Sequence, residues 1–342
     1  MVTAAREAPE GFVGFETERA RIQEVLDAFE AGQRTEIALI AEPFAGRTTL
    51  LRAIEAMTEQ KITNLSLSKP VTTKDALALP AEPAQIVLID NCHFLYLRTI
   101  GGFRFLHEFL ESLAAAPHLF ITTWNLFSWN YLDQVINIGR YFPLQLTLPK
   151  FTTAQVKGFI LARYQEGDIE FLDDGTTENR RIVTIGRYPL IFKPLKEPLP
   201  IPTLHLDFTQ LKFRLSRKRE EKKAEDIIFE RITRIANGNP GVAKLLWAKS
   251  LQYPTIKPSY VQECSFKIEL DYTESFTLYT ILSMESISAE ELAAVTGERK
   301  LDPILYRLLQ QGLITREGEQ YQLNPEALSC IEGHLKHVGV IW

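Results

Sequence analysis

The segment IALIAEPFAGRTTLL, from Ile37 to Leu51, constrains the fold of this chain more tightly than any other stretch. Its first five residues are apolar without alternation, which predicts a strand covered on both faces, as in a parallel sheet clothed with helices. A short loop containing Pro43 and Gly46 follows, and Thr48, Thr49, Leu50 and Leu51 open a helix. A strand that turns directly into a helix N-terminus presents backbone N–H groups and the positive end of the helix dipole to an anion. A loop of this kind that holds nucleotide phosphates needs glycine where the backbone approaches the anion, a lysine for the outer phosphates and a Ser or Thr hydroxyl for Mg²⁺. Here Ala41 stands at the first glycine position, Glu42, Pro43, Phe44 and Ala45 form the loop, Gly46 is kept, Arg47 replaces the lysine, and Thr48 supplies the hydroxyl with Thr49 behind it. Arg47 keeps the charge but is longer, planar and forked, so it does not replace a compact ammonium like for like. Taken alone, the loop fits a chance strand-turn-helix as readily as a nucleotide site.

A second element decides between the two. The run AQIVLID, Ala84 to Asp90, is another buried strand, and it ends in the carboxylate that can hold Mg²⁺ through water, one βα unit downstream of the loop. The next residue is Asn91, where a general base would be expected, and an amide cannot take a proton. His93 is a conceivable substitute, although a histidine at a strand end is more often structural. Helical spacing is expected over Phe15 to Gln33, Phe103 to Ala116 and the WNYLDQVI segment, and strands over NLSLS (64–68), HLFITTW (118–124) and FPLQLTL (142–148). Strands separated by helices predict a parallel α/β sheet.

After LPKFTTAQVKGFI, a helix entry signalled by Thr152 or Thr153, the chain becomes proline-rich and then basic. Arg180 to Lys223 carries twelve Lys/Arg against four acids. This reads as an insertion, over about residues 166–223, with a few strands and the onset of a helix. A helix from about 224 to 236, the break GNPG and a second helix follow. From Ser275 the pattern is three helices and a hairpin turning at Glu317 and Gly318, which is a winged helix-turn-helix.

At this point the chain resembles AAA+ ATPases, in particular their initiator-like and STAND branches. The segment FVGFETERARIQEVL is similar to the one that packs on adenine, bringing in Phe12, Val13 and Gly14. AEPFAGRTTLL resembles Walker A, IVLIDN resembles Walker B, and FITTWN is similar to the sensor-1 strand with Thr123 as the polar sensor. GNPGVAKLL is similar to the lid motif that sets a proline, here Pro240, against the nucleotide. The resemblance implies a P-loop NTPase parallel sheet covered by helices, a helical lid with a basic insertion, and a C-terminal winged helix, with boundaries at 1–149, 150–265 and 266–342. It also implies ATP or ADP as ligand and Mg²⁺ held by Thr48 and Asp90. Arg140 takes the place of an arginine finger acting on a neighbouring subunit, the alternative being an exposed arginine without that role. Arg47 for lysine, Asn91 for glutamate and Gly241 for a sensor-2 arginine all remove groups that act on the outer phosphate, so the expectation is at most a slow ATPase.

Partners follow from charge. The whole chain carries a formal net charge of −5, yet the winged-helix stretch from Leu270 is acidic, with eleven acids against five Lys/Arg. A DNA-reading winged helix should be basic, so contact with protein or stabilisation of the lid is the expected role there, with Arg299, Lys300, Arg307 and Arg316 the local exceptions. DNA contact, if any, is expected through Arg214, Arg217, Lys218, Arg219, Lys222 and Lys223, for which a solvated helix face is an equal alternative. The leading expectation is a nucleotide-dependent regulatory switch or scaffold, with protein partners or a homo-oligomer. The rivals are a DNA-associated initiator-like ATPase and a pseudo-ATPase subunit. The three cysteines are separated, without CxxC spacing, which argues against zinc or a disulfide framework. No apolar run is long enough for a membrane span and the first residues lack a signal pattern, so a cytoplasmic location is expected.

Overall fold

The computed structural model describes residues 14–73, 85–174, 183–190, 199–206, 223–263, 266–298 and 300–341. Phe12, Val13, Arg214, Arg217, Lys218, Arg219, Lys222, Arg299 and Cys264 lie outside the described residues, as does the expected helix onset before Lys223.

Helix α1 (Glu16–Glu30) leads into a five-stranded sheet. Its strands are β1 (Ile37–Ala41), β2 (Ile62–Ser66), β3 (Ile86–Asp90), β4 (Leu119–Asn125) and β5 (Leu144–Thr147), in the order β2-β3-β4-β1-β5 and all parallel. Every residue of β1, β3 and β4 is buried, as their unbroken apolar runs require. Strand β2 begins two residues earlier than NLSLS suggests, because the alternation of ITNLSLS tolerates either register. Helices α2 (Arg47–Glu55), α3 (Arg104–Ala115) and α4 (Leu126–Ile136) make the crossovers. Strand β1 lies between β4 and β5; the connection out of β1 runs towards β2 while that out of β4 crosses to β5, so the two diverge and a crevice opens at the carboxyl ends of β1 and β4. Ligands of open parallel sheets bind at that switch point. The P-loop stands there.

The lid starts at α5 (Thr153–Leu161), where Thr152 and Gln155 form a reciprocal capping box. Short β6 (Glu170–Phe171) leads to an antiparallel hairpin of β7 (Val183–Leu190) and β8 (Leu199–Leu206). Helices α6 (Ala224–Ile235) and α7 (Pro240–Ser250) complete the lid, and β9 (Thr255–Ile256) pairs back onto β6. The lid core is aromatic: Phe229 stacks on Trp247 at 5.3 Å, with Phe171 against both rings.

The winged helix comprises α8 (Tyr272–Met284), α9 (Ala289–Thr296), α10 (Leu301–Gln310) and the wing strands β11 (Ile314–Glu317) and β12 (Gln320–Leu323). The wing turns at Gly318 and Glu319, one residue later than the sequence suggests, because Glu317 still pairs with Gln320. Two elements join these that periodicity does not announce: β10 (Ser286–Ser288), which pairs with β12, and α11 (Leu328–His337). A helix-covered parallel sheet, a helical segment with a hairpin insertion and a C-terminal winged helix follow one another along the chain, in the order expected from the sequence. No helix among the described residues is long and apolar enough to cross a membrane. Cys92 is buried and Cys330 partly so, both as free thiols.

Candidate nucleotide-binding site

The loop between β1 and α2 is shaped by two positive φ angles, 65° at Phe44 and 97° at Gly46. Glycine takes this conformation without strain, whereas Phe44 takes it at a cost that its surroundings must cover. Those surroundings are the lid. Asn239 caps α7 through its side-chain oxygen, while its Nδ2 donates to the Pro43 carbonyl at 2.8 Å. The Gly241 N–H donates to the Phe44 carbonyl at 3.1 Å. A Cβ on Gly241 would lie 2.4 Å from that carbonyl oxygen, so only glycine lets α7 come this close. Position 241, which the sequence offers only as the place of an absent sensor arginine, is the contact through which α7 grips the loop. Pro240, at the first turn of α7, is buried beside it.

The segment expected from the sequence to face adenine packs on the residues that follow β5. Phe15 is buried edge-on against Phe151 at 5.1 Å, and a Cβ on Gly14 would meet the Phe151 ring at 2.4 Å. A cavity of about 230 Å³ lies between the loop, the end of β5 and the start of α7, lined by Ala41, Glu42, Ala45, Thr147, Lys150, Asn239 and Pro240 among others. Lys150 pairs with Glu42 at 2.9 Å at its edge and lies 3.9 Å from Glu332 of α11.

At the Mg²⁺ position the described chain is already knit together. Thr48 Oγ1 donates to Asp90 Oδ2 at 2.6 Å, and Thr123 Oγ1 donates to Asp90 Oδ1 at 2.5 Å. Strand β4 and the first turn of α2 thus converge on one buried carboxylate at the end of β3. Among the described residues no cluster of three or more His, Cys, Asp or Glu could hold a metal by itself. The Thr48 hydroxyl and the Asp90 carboxylate are oxygen donors, the kind Mg²⁺ takes one or two of from a protein before completing its shell with phosphate and water.

Asn91 has φ 61° and ψ 45°, the left-handed region that asparagine tolerates. Its N–H donates to Thr123 Oγ1 at 2.8 Å, and its Nδ2 donates to the Leu67 carbonyl at 3.0 Å, tying β3 to the end of β2. The side chain at the catalytic-glutamate position is thus committed to structure. His93 is fully buried, and its imidazole is lowered to about 4 by burial and by the Arg47 charge, partly opposed by Glu285 and Asp90. It is neutral at physiological pH and a poor base. Burial also raises the Cys92 thiol well above its ordinary value, leaving it unreactive.

Arg47 is where the structure departs furthest from a phosphate-holding lysine. It is buried, its Nη1 donates to the Ala41 carbonyl at 3.1 Å, and its Nη2 forms an ion pair with Glu285 at the end of α8. Burial pushes the Glu285 carboxyl up, but the Arg47 charge, with His93 and hydrogen bonds from Arg47 and Asn125, outweighs this and leaves it below its ordinary value. Nothing in residue spacing pointed to Glu285, which is 238 positions from Arg47. Arg140 stands just before β5, the strand beside β1, at the amino end of the sheet and so away from the carboxyl end where the P-loop stands; it is exposed and hydrogen-bonded to the Tyr141 hydroxyl at 2.6 Å. It does not join the site within one chain. Lys223 is exposed at the N-cap of α6, Arg307 is held by Glu274 at 2.9 Å, and Arg316 donates to the Gly318 carbonyl.

No protein-family model matches the sequence, and no curated protein does. Among solved structures the chain is similar to the Thermotoga maritima RuvB Holliday junction branch migration motor, at 18% identity and a TM-score of 0.46, over 97% of this chain and 98% of that one. It is also similar to the Aeropyrum pernix ORC2 protein, solved as ADPNP–ADP complexes, at 11% identity, a TM-score of 0.42 and 99% coverage of both chains. The Aeropyrum pernix ORC1 protein in complex with DNA matches at 13% identity and a TM-score of 0.42, over 99% of this chain and 97% of that one.

Proposed function

We propose that the chain is an ATP- or ADP-binding regulatory switch or scaffold of AAA+/STAND-like type that hydrolyses slowly or not at all. The observation that carries this reading is the division of labour at the P-loop: the groups that would hold Mg²⁺ and the inner phosphates are in place, while those that would act on the outer phosphate are committed elsewhere. Thr48, Asp90 and Thr123 form one hydrogen-bonded set. Arg47 is turned to Glu285 and Asn91 to the Leu67 carbonyl. The cavity of about 230 Å³ is below the roughly 300–1,000 Å³ usual for small-molecule sites, so a whole nucleotide there requires the lid, which supplies Asn239 and Pro240 to its wall, to give way. A ligand that binds two such arrangements unequally shifts their populations without being consumed.

Thr48 and Asp90 would hold Mg²⁺, whose chemistry here is to neutralise phosphate charge. Titration of the purified protein with labelled ATP and ADP in Mg²⁺ tests the reading, alongside Thr48→Ala and a phosphate-release assay. Binding that Thr48→Ala weakens by about tenfold or more, with little release, supports it. Failure to bind at millimolar nucleotide rejects it.

The engagement of Arg47 favours a second reading, a pseudo-ATPase subunit whose loop is purely structural, and the same titration separates the two. A DNA-associated role gains less from the described residues, because Arg307 is already paired and the winged helix is acidic. Salt-dependent binding of duplex DNA would be its test.

A further inference from the structure

A second cavity, of about 330 Å³, opens between α4, α8 and the residues that follow α11, and no residue of the P-loop lines it. Helical spacing builds two of its walls, since Phe127, Tyr131 and Gln134 share one face of α4 and Tyr272, Phe276 and Tyr279 share one face of α8. The walls are therefore mostly aromatic, and the volume falls within the range usual for small-molecule sites. Arg98, from the loop after β3, is the one charged residue among those that line it. Its guanidinium lies 3.4 Å from the Tyr131 ring centre and 4.6 Å from that of Tyr279, and its Nη2 donates to the Tyr279 hydroxyl at 2.6 Å. The electron-rich faces of two rings offset part of the cost of holding this cation away from water. They do not neutralise it. Its Nε is buried without a hydrogen-bond partner, and among the described residues no acid pairs with Arg98. Burial holds the Tyr279 phenol above its ordinary value, against the opposing Arg98 charge, so that ring brings no negative charge of its own at physiological pH.

From this we infer that the cavity is a second ligand site, separate from the P-loop, and that it takes a small aromatic carboxylate. The in-plane N–H groups of a guanidinium suit a planar carboxylate, which accepts from two of them at once. A carboxylate also carries the single charge that one guanidinium balances, whereas a phosphate monoester brings close to two. The Asn130 and Gln134 amides on the α4 wall add neutral donors, and no acid lines the cavity to repel the ligand. The aromatic walls favour a flat apolar body, which they meet by offset or edge contacts. The site stands whether or not the P-loop holds a nucleotide.

The experiment uses the full chain. Benzoate, phenylacetate and indole-3-acetate are titrated in up to about 10 mM, the range in which molecules of about a dozen heavy atoms bind, and affinities are read by ligand-observed NMR. The matching primary amides, which keep each ring and remove the charge, are titrated alongside. At least one carboxylate is expected to bind, about tenfold tighter than its amide. Arg98→Gln, its fold checked by thermal unfolding, should erase that preference. Tyr272 lines the cavity and is 75% exposed, so its removal tests the site without disturbing the core, and Tyr306, 65% exposed on α10 and outside the cavity, is its control. Tyr272→Ala should weaken the carboxylate about threefold or more and Tyr306→Ala should leave it unchanged. Binding by none of the three carboxylates, a carboxylate held no tighter than its amide, a preference that survives Arg98→Gln, or equal effects of the two tyrosine substitutions would each overturn the inference.

Discussion

Asn91 illustrates how a residue can look like a catalytic loss and be a structural gain. A glutamate there would act on water. The asparagine instead takes a left-handed backbone and donates to the Leu67 carbonyl. Asn91→Ala is expected to lower stability by about 1–2 kcal/mol, from the lost hydrogen bond and the less tolerated conformation, measured by denaturant unfolding. At this scale the sequence was informative about identity and silent about pairing. Ala41, Gly46, Thr48, Asp90 and Thr123 are legible because the motif fixes their order along adjacent strands. The Arg47–Glu285 pair is not, since Glu285 reads as one acid among eleven in its domain and only the tertiary docking singles it out.

Among the elements, the interlock of lid and P-loop is the most sensitive joint. Gly238 and Gly241 face the Phe151 and Phe44 carbonyls, at 2.8 Å and 2.4 Å from where a Cβ would stand. Gly241→Ala should push α7 off the loop, costing roughly 1–3 kcal/mol of stability by the usual penalty for overpacking. Exchange of the Phe44 and Ala45 amides should rise with it, and unchanged exchange would mean that α7 does not brace the loop. Strands β1, β3 and β4 were legible because burial on both faces leaves unbroken apolar runs. The three-residue β10 was not, since it is too short for any period and exists only because β12 offers an edge. Helix α8 shows a third case: nearly every residue from Glu274 to Met284 is buried, including several Ser and Thr, so its amphipathicity is weak although its existence is plain.

In the whole molecule, winged helix and lid both close on the P-loop, and the closure carries its own charge. Burial pushes the Glu332 carboxyl up to about 7, Glu42 adding to the rise and Lys150 opposing it. The folded protein therefore holds a proton that the unfolded chain, with an ordinary value near 4.5, releases earlier. Stability from this group is full below about 4.5 and is lost as pH rises towards 7, by up to roughly 3 kcal/mol. Thermal unfolding between pH 5 and 7.5 should fall less steeply for Glu332→Gln than for wild type, and parallel curves would place Glu332 in a more hydrated setting than its burial indicates.

The central claim is that this loop binds a nucleotide through Thr48 and Asp90 and does little to it. Calorimetric titration of the full chain with ATP and ADP, with and without Mg²⁺ and followed by phosphate release on the same samples, tests it most directly. Binding that requires Mg²⁺, is lost in Asp90→Ala and leaves the triphosphate essentially intact is the predicted result; rapid turnover, or no binding of either nucleotide, would contradict the account.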